Sequence, residues 1–163
     1  MTNDEKKKFV LNTLSDKEKD LFHTSGETSS HLKKKEQEAV VYTKFIYDKD
    51  EGIPVGFVDL TDSGKLGLAK GDLNISFAVH SNYRNGGLAK ALIKDAVLWF
   101  INSDYETLSF IMNKNNLPSK HLAESFGFVQ MEYWKESNEY FYMITNPSKI
   151  KYINSRNIKM GLI

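Results

Sequence analysis

The chain has 163 residues, 40% hydrophobic and 26% charged, which suits one domain with a packed core and is too short for two ordinary ones. Lysine and arginine number 22 against 21 aspartates and glutamates, so bulk charge points neither to nucleic acid nor to an anionic membrane. There is no cysteine, which excludes disulfides, thiolate zinc sites and a cysteine nucleophile.

The N-terminal stretch MTNDEKKKFVLNTLSDKEKD lacks the apolar core of a signal peptide, and no run of about 18 apolar residues follows. A cytoplasmic protein without membrane contact is therefore expected. Phe9, Val10, Leu11 and Leu14 are scattered apolar positions in a polar segment. Ser15 with Glu18 fits a capping box and predicts a short helix to about Phe22. His23 to Gln37 is rich in Ser, Thr and Lys and reads as a loop, or as a weak helix across Leu32 to Gln37. Its run Lys33, Lys34, Lys35 has no interleaved aromatic residue and reads as a solvated face.

From Ala39 the chain changes character. AVVYTKFIY is β-branched and aromatic, KDEGIP makes a turn, and VGFVDL is a second strand, together an antiparallel hairpin. TDSGKLGLAKG connects to a third strand, in which Leu73, Ile75, Phe77 and Val79 alternate with Asn74, Ser76 and Ala78. Gly86 and Gly87 then turn the backbone into a helix. Leu88, Leu92, Ala96 and Trp99 share one face of it, with Ala89, Ile93, Val97 and Phe100 beside them, a stripe wide enough to pack on a sheet. Asn102 to Glu106 breaks this helix, and TLSFIM reads as a buried strand. LPSKHLAESF is a short helix with Pro118 in its first turn and Gly127 as its stop. VQMEYW and EYFYMI, separated by KESN, form a last hairpin, and Asn146 to Ile163 is a tail without clear period.

The order helix, three strands, helix, strand, helix, two strands predicts an α+β fold on a mixed sheet. The strand–helix–strand unit around Gly87 must be a right-handed parallel crossover. A strand that enters a helix through glycines presents free amide N–H groups and a positive dipole end, which suits a phosphate. A dinucleotide fingerprint needs G-x-G-x-x-G and an acidic residue closing the next strand, but here the glycines are adjacent and that strand ends in Ile111-Met112-Asn113. A Walker loop needs Gly-Lys-Ser/Thr, which is missing.

Two motifs in this order resemble the GNAT superfamily of N-acetyltransferases. One is Arg84-Asn85-Gly86-Gly87-Leu88-Ala89, preceded by the strand end FAVHSNY. The other, about thirty residues on, is Asn116, Ser119, Leu122 and the closing Phe126-Gly127-Phe128. The resemblance covers Ala39 to Ile144 and reaches the N-terminal region by topology only. It implies one acetyltransferase domain over 1–163, with an acceptor region at 1–38, a core at 39–144 and a tail at 145–163. It also implies a mostly antiparallel sheet with one splayed parallel pair and helices on both faces.

By the same resemblance, acetyl-CoA is the co-substrate and an amine the acceptor, with no metal. The diphosphate would sit on backbone N–H groups of Asn85, Gly86, Gly87, Leu88, Ala89 and Lys90. Arg84 would reach a phosphate oxygen or order the loop. The pantetheine would bond the backbone near Phe77, Ala78 and Val79, and the amide of Ala78 or Val79 would stabilise the thioester oxyanion. Asn116 reads as a helix N-cap, alone or with an added bond to pantetheine, with Ser119 and Leu122 beside it. Phe126 and Phe128 read as core. A homodimer through the last strands or the tail is a further expectation.

The sequence departs from the family at the proton-transfer positions. The tyrosine that many members carry in the second helix matches Ala123, and the glutamate of the strand before the turn matches Ser76. Catalytic candidates are then Ser76 itself, Asp59 and Tyr133, with Glu132, His80, His121 and Tyr142 behind them. A general base contributes about 10²–10⁴-fold, and a thioester is already activated, so positioning and solvent could carry a weak or specialised transferase. The competing reading is an inactive module of this fold that binds acyl-CoA or another protein.

Overall fold

The computed structural model describes residues 9–12, 38–84 and 87–149. The helix expected at Ser15 to Phe22, the stretch His23 to Gln37, Asn85, Gly86 and most of the tail lie outside them.

Among the described residues seven strands pair in the order β1-β2-β3-β4-β5-β7-β6. They are β1 (Phe9–Asn12), β2 (Val40–Asp48), β3 (Ile53–Asp62), β4 (Asp72–Val79), β5 (Thr107–Asn113), β6 (Val129–Trp134) and β7 (Glu139–Thr145). The helices are α1 (Leu88–Ile101) and α2 (Leu117–Ser125). The sheet is mixed: β1–β2, β2–β3, β5–β7 and β6–β7 are antiparallel, and β4–β5 is parallel. This is the α+β architecture expected, with one addition. β1 was not anticipated, because FVLN is too short to show a period and its order comes from pairing with Phe45–Asp48 of β2.

Contacts divide the chain into two compact units, Met1–Thr61 with Ser76–Ala96, and Asp62–Ile75 with Val97–Ile163. In the first, β2 and β3 form the predicted hairpin, with Thr43 opposite Asp59 and Phe45 opposite Phe57. The register of β4 against β3 follows from two contacts. His80 N–H donates to the Val55 carbonyl at 2.7 Å. A Cβ built on Gly56 would lie 3.3 Å from Val79 Cγ2 and 3.0 Å from the Ala78 carbonyl oxygen. The end of β4 thus lies against the start of β3, which is antiparallel pairing, with Val79 opposite Gly56 and Ala78 opposite Phe57.

Side chains alternate across this sheet. Val79 and Leu92 of α1 converge over Gly56, where a Cβ would also meet Leu92 Cδ1 at 3.2 Å. On the other face Phe45 and Phe57 are buried, their rings 6.0 Å apart, with Tyr47 and Ala78 packed against them. Gly56 is therefore the gap that lets α1 approach β3. Gly56→Ala is expected to destabilise the protein by about 1–3 kcal/mol, because the nearest atom is a backbone oxygen that cannot swing aside. Denaturant unfolding of the variant reads this directly, and an unchanged midpoint would contradict the packing.

In the second unit β5 pairs with β7 along its whole length, from Thr107↔Thr145 to Asn113↔Glu139. Its pairing with β4 covers Asp72↔Thr107, Leu73↔Leu108 and Asn74↔Ser109. The start of this parallel pair is held by the buried Asp72 carboxylate, which accepts bonds from Ser63 Oγ (2.8 Å), Ser109 Oγ (2.9 Å) and Thr107 Oγ1 (2.7 Å). Such donors keep a buried charge tolerable. Just past α2, Phe128 packs on β5, its ring edge-on to Phe110 at 5.6 Å. The helix ends as predicted at Gly127, with φ +87°. Gly127 N–H donates to the Glu124 carbonyl and Phe128 N–H to that of Ala123, the paired bonds of a Schellman stop.

Candidate functional site

The site begins where β4 ends. Backbone groups of a strand alternate sides, and His80 N–H points at β3. Ala78 N–H therefore also faces β3, while the N–H and carbonyl of Phe77 and Val79 face away from it. The Val79 carbonyl bears this out by accepting Arg84 Nε at 3.0 Å. Of the two roles open to Arg84, ordering the loop is the one its Nε performs.

Between them the chain makes one 3-10 turn, Ser81–Tyr83. His80 builds it: its carbonyl accepts Tyr83 N–H at 2.8 Å, its Nδ1 accepts Asn82 N–H at 3.4 Å, and its ring stands edge-on to Tyr83. The Tyr83 phenol has its pKa raised by burial and by its hydrogen bond to Asp48, with the charges of Asp48 and Glu51 adding to this. Asp48 is itself buried, and its Oδ1 accepts the N–H groups of Asp50 (2.9 Å) and Glu51 (3.2 Å). The β2–β3 turn thus braces the loop that leads to Arg84. Sequence reading missed this brace, because nothing in KDEGIP marks Asp48 as the partner of a distant tyrosine.

Gly87 opens α1 with φ +79°, and its carbonyl accepts the Ala91 N–H at 3.2 Å. Only glycine holds that φ without strain. As an N-cap it also brings no side-chain oxygen to occupy the first-turn N–H groups. The first turn, Leu88, Ala89 and Lys90, contains no acidic residue, and Lys90 is exposed. Leu88 is buried and anchors the turn to the core. Free donors, a positive dipole end and a lysine together favour an anion.

The proton-transfer candidates divide between the units. In the first, Ser76 is exposed in the middle of β4, Asp59 is 5% exposed, and Thr43 Oγ1 donates to Asp59 Oδ1 at 2.6 Å. His80 serves the turn just described. In the second, Ala123 is wholly buried in α2. Tyr142 is 1% exposed, and its hydroxyl donates to Glu124 Oε1 at 3.1 Å. Burial first, then this bond, pushes its pKa up to about 12, so it stays protonated at neutral pH. Tyr133 is partly exposed and donates to Asn138 Oδ1, and Glu132 accepts from Trp134 Nε1. His121 is exposed on α2. Asn116 caps α2, its Oδ1 accepting Ser119 N–H at 3.2 Å; Ser119 is buried and Leu122 half-buried. Phe128 is core, as read from the sequence.

The chain matches the family model described as "Acetyltransferase (GNAT) family" over residues 9–128. No curated protein matches it significantly. Among solved structures it is similar to spermidine N-acetyltransferase from Vibrio cholerae in complex with CoA and spermine, at TM-score 0.67 and 13% identity, over 86% of this chain and 96% of that one. It is similar to the ribosomal-protein-S18-alanine N-acetyltransferase of Escherichia coli, at 0.64 and 13%, over 85% and 94%. It is also similar to a GNAT-family acetyltransferase from Streptococcus pneumoniae, at 0.63 and 15%, over 84% and 99%. These likenesses are of fold, and the family match spans well over half of the sequence: the chain belongs to the GNAT acetyltransferase family.

Proposed function

We propose that this protein is an acyl-CoA-dependent N-acyltransferase that moves an acetyl group from acetyl-CoA to a primary amine. The observation that carries the reading is the left-handed Gly87 at the head of α1, three residues after an arginine tied to the end of β4. The CoA diphosphate is placed on the first-turn N–H groups of α1, with Lys90 adding charge. Pantetheine is placed along the outward edge of β4, where Phe77 and Val79 present backbone groups. Of the two amides considered for the oxyanion, that of Val79 is favoured, because Ala78 N–H faces β3. The amine attacks the thioester directly, without an enzyme-bound intermediate. Support for an amine acceptor comes from the similar structures, one holding CoA and spermine.

A second reading, an inactive acyl-CoA-binding or protein-interaction module, is favoured by Ser76 and Ala123, where proton-transfer groups were expected. Two measurements separate them. Acetyl-CoA is expected to raise the melting temperature. Thiol release from acetyl-CoA is then followed with spermidine and with an alanine-terminated peptide. No thermal shift rejects the CoA site; a shift without amine-dependent release over a broad pH range favours the inactive module.

A further inference from the structure

The β3–β4 register places Ser76 opposite Asp59, counting without a bulge from Val79 over Gly56 and Ala78 over Phe57. Thr43 is opposite Asp59 on the other side. Thr43, Asp59 and Ser76 therefore form one polar row across three neighbouring strands of the first unit, on the face away from α1. Directly opposite residues have Cβ atoms about 4.5–5.5 Å apart. At Ser76 the row is open to solvent, while Asp59 beside it is 5% exposed and oriented by the Thr43 hydroxyl. A serine on a central strand leaves room for a water or an amine that a longer side chain would fill. A carboxylate thus stands beside Ser76 on the next strand.

We propose that Asp59 is the general base for the acceptor amine, acting across the space above Ser76. The proposal rests on the N-acyltransferase reading. The acceptor arrives as an ammonium and gives one proton to the Asp59 carboxylate, directly or through a water held over Ser76. Its nitrogen lone pair then forms the C–N bond to the thioester carbon. The tetrahedral oxyanion collapses and the C–S bond breaks, so that CoA leaves as thiolate. The second nitrogen proton passes to that thiolate, and Asp59 returns its own to solvent. The sum is acetyl-CoA plus ammonium giving amide, CoA thiol and a proton.

The test compares two nucleophiles at pH 7: benzylamine, which is mostly protonated and needs a base, and hydroxylamine, which is mostly neutral and does not. Asp59→Asn is expected to slow benzylamine acetylation by about 10²-fold or more and hydroxylamine acetylation by less than about threefold. The double variant Asp59→Asn with Ser76→Glu is expected to recover at least about tenfold of the benzylamine rate, since it returns a carboxylate to the row. Ser76→Lys, at an exposed position, sets an ammonium against the carboxylate and is expected to give the same selective loss even if Asp59→Asn does not fold. An equal fall for both nucleophiles, an undiminished benzylamine rate in Asp59→Asn or Ser76→Lys, or no wild-type acceleration with benzylamine overturns the proposal. The acetyl-CoA thermal shift of the wild type tells the two failures apart. If the shift and amine-dependent thiol release are both present, only the assignment of Asp59 falls; if either is absent, the acyltransferase reading falls with it.

Discussion

Gly87→Glu is expected to abolish the stabilisation by acetyl-CoA. Two effects add. An L residue at φ +79° costs about 1–2 kcal/mol in either ligand state. The new carboxylate would stand at the N-terminus of α1, in the place proposed for the diphosphate, and would repel it at close range. A Cβ at position 87 meets nothing within 4 Å, so the fold itself has room for the side chain. At a concentration of one hundred times the dissociation constant, a ligand adds about 2.7 kcal/mol of stability. In a chain of this size that is roughly 5–10 °C of melting temperature, all of which the variant should lose. Gly87→Ala carries the strain without the charge and should keep most of the shift from a lower baseline. A Gly87→Glu protein that still bound acetyl-CoA like the parent would displace the site from α1.

The largest effect on stability is expected at Asn146, which is 0% exposed. Its Nδ2 donates to the carbonyls of Phe100 (2.9 Å), Ser103 (3.3 Å) and Tyr105 (3.0 Å), which close the C-terminal end of α1 and lead into β5. Its Oδ1 accepts Ser148 N–H and Ser148 Oγ, and its own N–H donates to the Glu106 carbonyl. Asn146→Ala removes the side-chain donor from all three carbonyls, of which that of Phe100 keeps Ser103 N–H and Oγ, and removes the acceptor of Ser148. At about 1 kcal/mol net per hydrogen bond, plus the lost packing, it should cost about 3 kcal/mol, or roughly 6–12 °C in melting temperature. Asn146→Asp keeps the acceptor and replaces the donor by a charge facing three carbonyl oxygens, so it should be at least as damaging. A mild Asn146→Asp would show that the donor role is misassigned.

What the sequence made legible, and what it did not, divides by the range of the interaction. Elements set by local chemistry were readable: the apolar stripe of α1, Pro118 and Gly127 bounding α2, and the alternation in β4. The Asn116 cap was readable too, since donor and acceptor are three residues apart. Features that depend on register between strands were not. Asp59 and Ser76 are joined through a connection containing the 3-10 turn Ser63–Leu66, whose length does not fix which residues face each other. Thr43 as the partner of Asp59 could have been found by counting outward from the β2–β3 turn, but the register shift between Ile46 and Tyr47 spoils a simple count. The Asp72 cage gathers three hydroxyls from two separate stretches, Ser63 and β5, and neither carries a local signal.

The Asp48–Tyr83 brace bears on how this sequence can drift. Asp48 serves two backbone N–H groups of its own turn and the phenol of a residue next to the arginine motif. No single substitution at 48 replaces all three acceptor bonds, and asparagine gives up the charge. The β2–β3 turn, which reads as an expendable surface connection, is therefore bound to the same evolutionary clock as the loop at Arg84. Insertions there should be rarer than its exposed Lys49, Asp50 and Glu51 suggest.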